Sequence, residues 1–225
     1  MKKNKKLAFS LIELSIVVLI IGILIAGVTQ GSRLVRQSAI KTAQNLTKNS
    51  SVSSIPGLVL WLEPTLDNSI ISAANGSNPE DGDLVFTWND INPQATNLIT
   101  LSQATPAEQP QYVASGLNKL PAIKFSGSSA NTRLYSDNVP LTARASNYTL
   151  IAVWQATLID PLAYVIFSQG SIAASGSTAA GIFIQTTGSY GFHGSVNNYT
   201  PYLPAINVPY ISVVKVNNVL SNNVS

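Results

Sequence analysis

The sequence predicts an α+β chain: one long N-terminal helix, membrane-spanning over its first half, followed by an all-β sandwich. Three observations predict it. A lysine-rich start leads into an unbroken apolar block over residues 11–28. No proline occurs before residue 56, and apolar residues continue at helical spacings of three and four after the block ends. Beyond residue 56, short runs of β-forming residues alternate with clusters of Gly, Pro, Asn and Ser.

The first element is the positive run MKKNKK, residues 1–6, which the positive-inside rule holds on the cytoplasmic side. The block LIELSIVVLIIGILIAGV that follows at residues 11–28 is about 27 Å long at roughly 1.5 Å per helical residue, close to the thickness of a bilayer core. A cleaved secretory signal shares this pattern of basic start and apolar core. Against it stand the length of the block and the continuation of helical pattern without a small-residue cut site and turn. Ile40, Ala43 and the residues from Val35 to Ala39 carry an apolar stripe into a polar second half. One helix over residues 9–50 is therefore expected, greasy all round at first and amphipathic later. Glu13 is the odd residue, because a carboxylate inside an apolar span costs a few kcal/mol unless it is paired or reaches the interface.

Residues 51–56, a serine-rich stretch ended by Pro56, read as a hinge-like linker. Downstream, residues 57–225 read as a β domain. Its strand-like runs are 58–62, 84–88, 122–125, 149–155, 164–168, 181–186 and 210–216, with turn clusters such as Asn75-Gly76-Ser77-Asn78-Pro79 and Gly176-Ser177-Thr178 between them. Many short runs without helical periodicity argue a sandwich.

Charge separates the two parts. Residues 1–48 hold eight Lys and Arg against Glu13 alone, whereas residues 49–225 hold five against nine Asp and Glu. The larger part is mildly acidic and has no basic face for nucleic acid. With no cysteine, a thiolate metal site, a cysteine nucleophile and a disulfide framework are all excluded.

Little else carries chemistry. His193 is the one histidine, and Tyr190-Gly191-Phe192-His193-Gly194 reads as a strand end entering a turn. No G-x-S-x-G elbow, G-x-G-x-x-G loop, P-loop or H-E-x-x-H occurs, so the sequence argues against an enzyme. Glu80-Asp81-Gly82-Asp83 is the densest acidic group, and Asp81 and Asp83 are candidate oxygen ligands for calcium. The spacing is not that of an EF-hand, and a solvated loop with no cofactor is the simpler reading. Trp61, Trp88 and Trp154 could stack on sugar rings, but each lies in an apolar run where an aromatic is more often core.

The junction Lys5-Lys6-Leu7-Ala8-Phe9-Ser10-Leu11-Ile12-Glu13 resembles the class III leader of type IV prepilins and type II secretion pseudopilins. The resemblance implies that residues 1–8 are a leader cut by a prepilin peptidase between Ala8 and Phe9. It further implies that Phe9 is N-methylated, and that Glu13 is the assembly carboxylate answering the Phe9 ammonium of a neighbouring subunit. In a medium without water that pairing is preferred over two isolated charges. Two departures fit a minor or atypical subunit better than a major one. Alanine precedes the cut where the family usually has glycine, and no proline lies near the end of the apolar half, where Gly22, Gly27 and Gly31 are the only weak points.

Residues 57–63 (GLVLWLE), Trp88-Asn89-Asp90, residues 121–127 (PAIKFSG), and residues 148–154 paired with 164–170 resemble laminin-G-like or concanavalin-like jelly-roll domains. This more diffuse likeness implies a further strand after residue 216, so either a shortened domain or a truncated gene product is expected, with an unpaired edge strand in both cases.

The leading expectation is a pilin-like subunit at the bacterial inner membrane, amino terminus cytoplasmic and β domain outside. It then enters a periplasmic or cell-surface filament, with prepilin peptidase, other pilin or pseudopilin subunits, an inner-membrane assembly platform and membrane lipid as partners. A membrane-anchored module that binds a glycan or surface ligand, never assembled, is the alternative, and it rests on fold analogy alone.

Overall fold

The computed structural model describes residues 10–127, 131–138, 147–158, 164–169, 180–184, 190–193, 197–200 and 204–216. Helix α1 spans Leu11–Lys48. At 1.5 Å per residue its 38 residues extend about 57 Å. The helix runs unbroken through Gly22, Gly27 and Gly31, with open space around each. Its hydroxyls fold back on their own backbone: Ser15 donates to Ile12 O, Thr29 to Ile25 and Ala26 O, and Thr42 to Ser38 O. Each of these hydroxyls thus has a partner within the helix, Ser15 inside the apolar block and Thr29 at its end. Asn49 closes the helix, its backbone N–H and its Nδ2 both donating to Asn45 O at 3.0 and 2.9 Å.

Eleven strands are described after the helix. They are β1 Ile70–Ser72, β2 Val85–Asn89, β3 Thr100–Ser102, β4 Gln111–Leu117, β5 Leu120–Lys124, β6 Tyr148–Gln155, β7 Tyr164–Gln169, β8 Ala180–Ile184, β9 Tyr190–His193, β10 Asn197–Thr200 and β11 Pro209–Val216. Every pairing is antiparallel. Four sheets result: β1-β2-β3, β4-β5, β6-β11 and β7-β8-β9-β10. The α+β class is thus the one the sequence predicts.

The described core lies where the first sheet meets the β4–β5 hairpin. Ile70, Val85, Tyr112 and Ala114 are buried together, with Trp88, Ile123 and Leu134 packed against them. The hairpin turns at Asn118 and Lys119, both at positive φ (50° and 64°), the backbone of a two-residue type I′ turn. Its register slips between Val113 and Leu117. There Gly116 is obligatory, since a Cβ would stand 2.7 Å from that of Ala122.

Several elements depart from expectation. Residues 58–62 form no strand; only an isolated bridge joins Leu62 to Asp90. There the Ile91 N–H donates to Trp61 O at 2.9 Å, and Trp61 N donates to the side-chain Asp90 Oδ1 at 2.9 Å in place of a continued ladder. The run 148–154 pairs not with 164–170 but with β11, in unbroken register from Tyr148↔Val216 to Gln155↔Pro209. β7 pairs with β8 instead. The strand ending at Val216 therefore has a partner along its whole length, and residues 217–225 lie outside the described residues. Strands β1, β3, β4 and β10 are not among the expected runs, whereas β9 falls on the strand end expected at residues 190–194; β1 and β3 are three residues long, and β4 carries Gln111, Ser115 and Gly116. Such strands depend on their neighbours rather than on an apolar run of their own.

The β6–β11 ribbon has two unlike faces. On one, Trp154 stacks on Tyr210 with ring centroids 5.2 Å apart, and Trp154 Nε1 donates to Ser212 Oγ at 2.7 Å. On the other, Ile151, Val153, Ile211 and Val213 are 61–73% exposed.

Candidate functional site at the helix start and apolar span

Ser10 is the N-cap of α1, in extended conformation, and Glu13 is the third residue of the first turn. The Ser10 backbone N–H donates to Glu13 Oε2 at 2.9 Å. This is the reciprocal arm of a capping box, in which the carboxylate of the third helical residue satisfies a donor that the helix itself leaves without a partner. A negative charge there also faces the positive end of the helix dipole. In this single chain Glu13 is thus held against the residue that follows Phe9. Ala8 and Phe9 themselves lie outside the described residues.

From Leu11 to Val28, thirteen large aliphatic side chains are exposed, Leu11 at 86%. At about 1.5–3 kcal/mol for each side chain not removed from water, the penalty is on the order of 20–40 kcal/mol. That exceeds the roughly 5–15 kcal/mol net stability of a whole domain, so this surface requires an apolar medium or other helices around it. The apolar window has a mean hydropathy of 2.9, and among the described residues none of it is buried. Length and apolarity suffice to cross a bilayer.

The second half of α1 meets the β domain. Ala39, Ile40, Ala43, Gln44 and Thr47 are covered in part or fully. Val35, expected on the same stripe, is 72% exposed, and the deepest position goes to polar Gln44, at 5%. Its Nε2 donates to Thr65 O at 2.8 Å and to Asp67 Oδ1 at 3.1 Å, which is why a polar side chain can occupy the contact.

Asp81 and Asp83 stand in the loop between β1 and β2, and backbone donors engage both. Ala114 N donates to Asp81 Oδ1 at 2.8 Å. Glu80 N and Asn75 Nδ2 donate to Asp83 Oδ2 at 2.9 and 2.8 Å. The Glu80 N–H first, and then the Asn75 amide, hold the Asp83 carboxyl below its ordinary value, because each bond favours the charged form. The two carboxylates pin the loop to β4 and to itself. Among the described residues no group of three or more His, Cys, Asp or Glu gathers in metal-binding fashion. Trp88 packs on the core, Trp154 lies half-covered in the ribbon, and His193 ends β9.

The sequence reading gives no joining role to Gln44, Asp90, Asn92 or Gln94, which tie the linker and the helix to the β domain. Asp90 and Asn92 are buried at 3% and 1%. The Asn89-Asp90-Ile91-Asn92 phrase, rich in short polar side chains that cap turns, is the one signal that could have drawn attention to them.

Comparison with known proteins bears on the same end of the chain. Residues 3–29 match the family model of the prokaryotic N-terminal methylation motif. No curated protein and no solved structure matches the chain.

Proposed function

We propose that this chain is a pilin-like subunit, either a minor pilin or a pseudopilin. A prepilin peptidase cuts between Ala8 and Phe9, Phe9 is N-methylated, and α1 enters the helical core of a type IV pilus or type II secretion pseudopilus with the β domain displayed. One coincidence carries the reading: the methylation-motif match over residues 3–29 overlaps a helix whose apolar half is covered by none of the other described residues. A membrane first, and the helices of neighbouring subunits later, supply the apolar surroundings that the span requires. Glu13 supports the assembly step. Its bond to Ser10 N–H holds the carboxylate one residue beyond Phe9, and within lipid an ammonium of an adjacent subunit is the partner that neutralises it best.

The partners on this reading are the peptidase, other pilin or pseudopilin subunits, the inner-membrane assembly platform and lipid. The jelly-roll likeness of the β domain, and recognition of a glycan or surface ligand by it, belong to the proposal only as fold analogy.

Mass spectrometry of the protein from cells containing a prepilin peptidase tests the cleavage. The expected mature chain begins at N-methylated Phe9; an intact Met1 end, or a cut after Ala26, sinks the reading. Glu13→Val separates assembly from anchoring. Membrane association should persist while incorporation into sheared filaments is lost, and a variant that incorporates normally removes the role given to the carboxylate.

A further inference from the structure

We propose that the connection between α1 and the β domain is a fixed elbow, clamped by the side-chain amides of Gln44, Asn92 and Gln94, so that the domain follows every rotation of the helix about its axis. By composition residues 51–56 are a hinge-like linker. By structure they are occupied at each step. Residues 51–54 coil into a 3-10 turn capped by Ser50, whose Oγ accepts from Val52 N at 3.1 Å. The linker serines bond inward, Ser53 Oγ to Ser50 O and Ser54 Oγ to Ser51 O, both at 2.9 Å.

Three attachments then tie successive stretches to the domain. Gln94 Nε2 donates to Ser53 O at 2.7 Å and Ile55 O at 3.0 Å. Asn92 Nδ2 donates to Leu58 O at 2.7 Å. Gln44 Nε2 reaches from the helix to Thr65 O and Asp67 Oδ1. The anchors are themselves held. Asp90 Oδ1 accepts from Asn92 N and Trp61 N, both at 2.9 Å, and Asn92 Oδ1 accepts from Gln94 N at 2.9 Å. The Glu63 carboxylate accepts from Thr65 N and Leu66 N at 2.9 and 3.0 Å, fixing the segment that Gln44 grips.

A single exposed amide bond would open readily. Three clamps on one short path must open together before the domain can swing, and one of them, Gln44, is buried where no water competes. Because all three donors are neutral amides, the elbow does not depend on salt or on pH near neutrality, unlike one built from ion pairs. The consequence is functional: the rotational seating of α1 decides which face of the β domain points outward. This holds whether or not the chain enters a filament.

The native sequence has no cysteine, so the full-length chain in detergent micelles can be spin-labelled at Lys41→Cys on the helix and Leu98→Cys on the domain. Both positions are exposed. Pulsed electron resonance should give one narrow distance distribution in this background, and a broad one once Gln44→Leu and Gln94→Ala are added. A broad distribution in the background, or an unchanged one in the double variant, overturns the proposal. Gln94 is exposed, so Gln94→Ala alone tests the clamp without emptying a buried position. In the unlabelled chain it should speed tryptic cleavage after Lys48 roughly tenfold, with cleavage after Lys119 and Lys124 unchanged. Equal rates at Lys48 count against the clamp, and accelerated cutting at Lys119 and Lys124 would show domain unfolding in place of joint opening.

Discussion

Glu13 and Asp83 use the same bond in two settings. Each carboxylate accepts from the backbone N–H three residues before it, Ser10 N for Glu13 and Glu80 N for Asp83. At Glu13 the bond starts a helix whose next residues are apolar; at Asp83 it closes a loop that Asn75 also grips. The Asp83 bond has a pH signature. Its folded carboxyl lies below the ordinary 3.8, so its contribution is present above the unfolded value and is lost as pH falls through the folded one. Asp83→Asn should therefore lower the thermal midpoint of the β domain at pH 7, and the gap to wild type should narrow below about pH 4. Melting curves across pH 3–7 check this; a gap that stays constant would mean the charge on Asp83 contributes nothing. Glu13 was legible in the sequence because a charge in an apolar block is conspicuous. Gln44 was not, because a glutamine in an amphipathic helix looks like solvated surface until its acceptors, 21 and 23 residues away, are in place.

At the scale of elements, the β4–β5 hairpin carries two opposite backbone demands. Lys119 adopts φ 64° at the second turn position, where glycine avoids the clash of a Cβ. Lys119→Gly should stabilise the domain by about 0.5–1 kcal/mol in denaturant titration. At Gly116 the reverse applies. Gly116→Val would drive a branched side chain into Ala122, and a loss of about 1–3 kcal/mol is expected; a smaller loss would mean the bulge can relax. Helix α1 was readable almost to its ends, residues 9–50 expected against Leu11–Lys48 observed, because helical bonds are local and the apolar pattern is long. The strands were readable where a run of β-branched and aromatic residues stands alone, as in β6 and β11. Their pairing with one another was not, because strand partners 54 to 68 residues apart leave no periodic trace in the sequence between them.

For the whole molecule, one apolar rod joins one mildly acidic β domain, and they demand different media. The full-length chain should float with lipid vesicles and should sediment as aggregate when detergent is removed without lipid. Recovery as a soluble monomer in plain buffer would contradict the exposure of the thirteen aliphatics. The sequence by itself determined the helix, its apolar half, the resemblance of its first residues to a processed leader, and the α+β class. All of these depend on interactions within a few residues, or on composition. Only the tertiary structure decided which strands share a sheet, that residues 58–62 form one bridge and side-chain bonds in place of a ladder, and that the serine-rich linker and the segments on either side of it are held by Gln94, Asn92 and Gln44. Those outcomes depend on contacts between distant residues, whose energies exist only once the chain has brought them together.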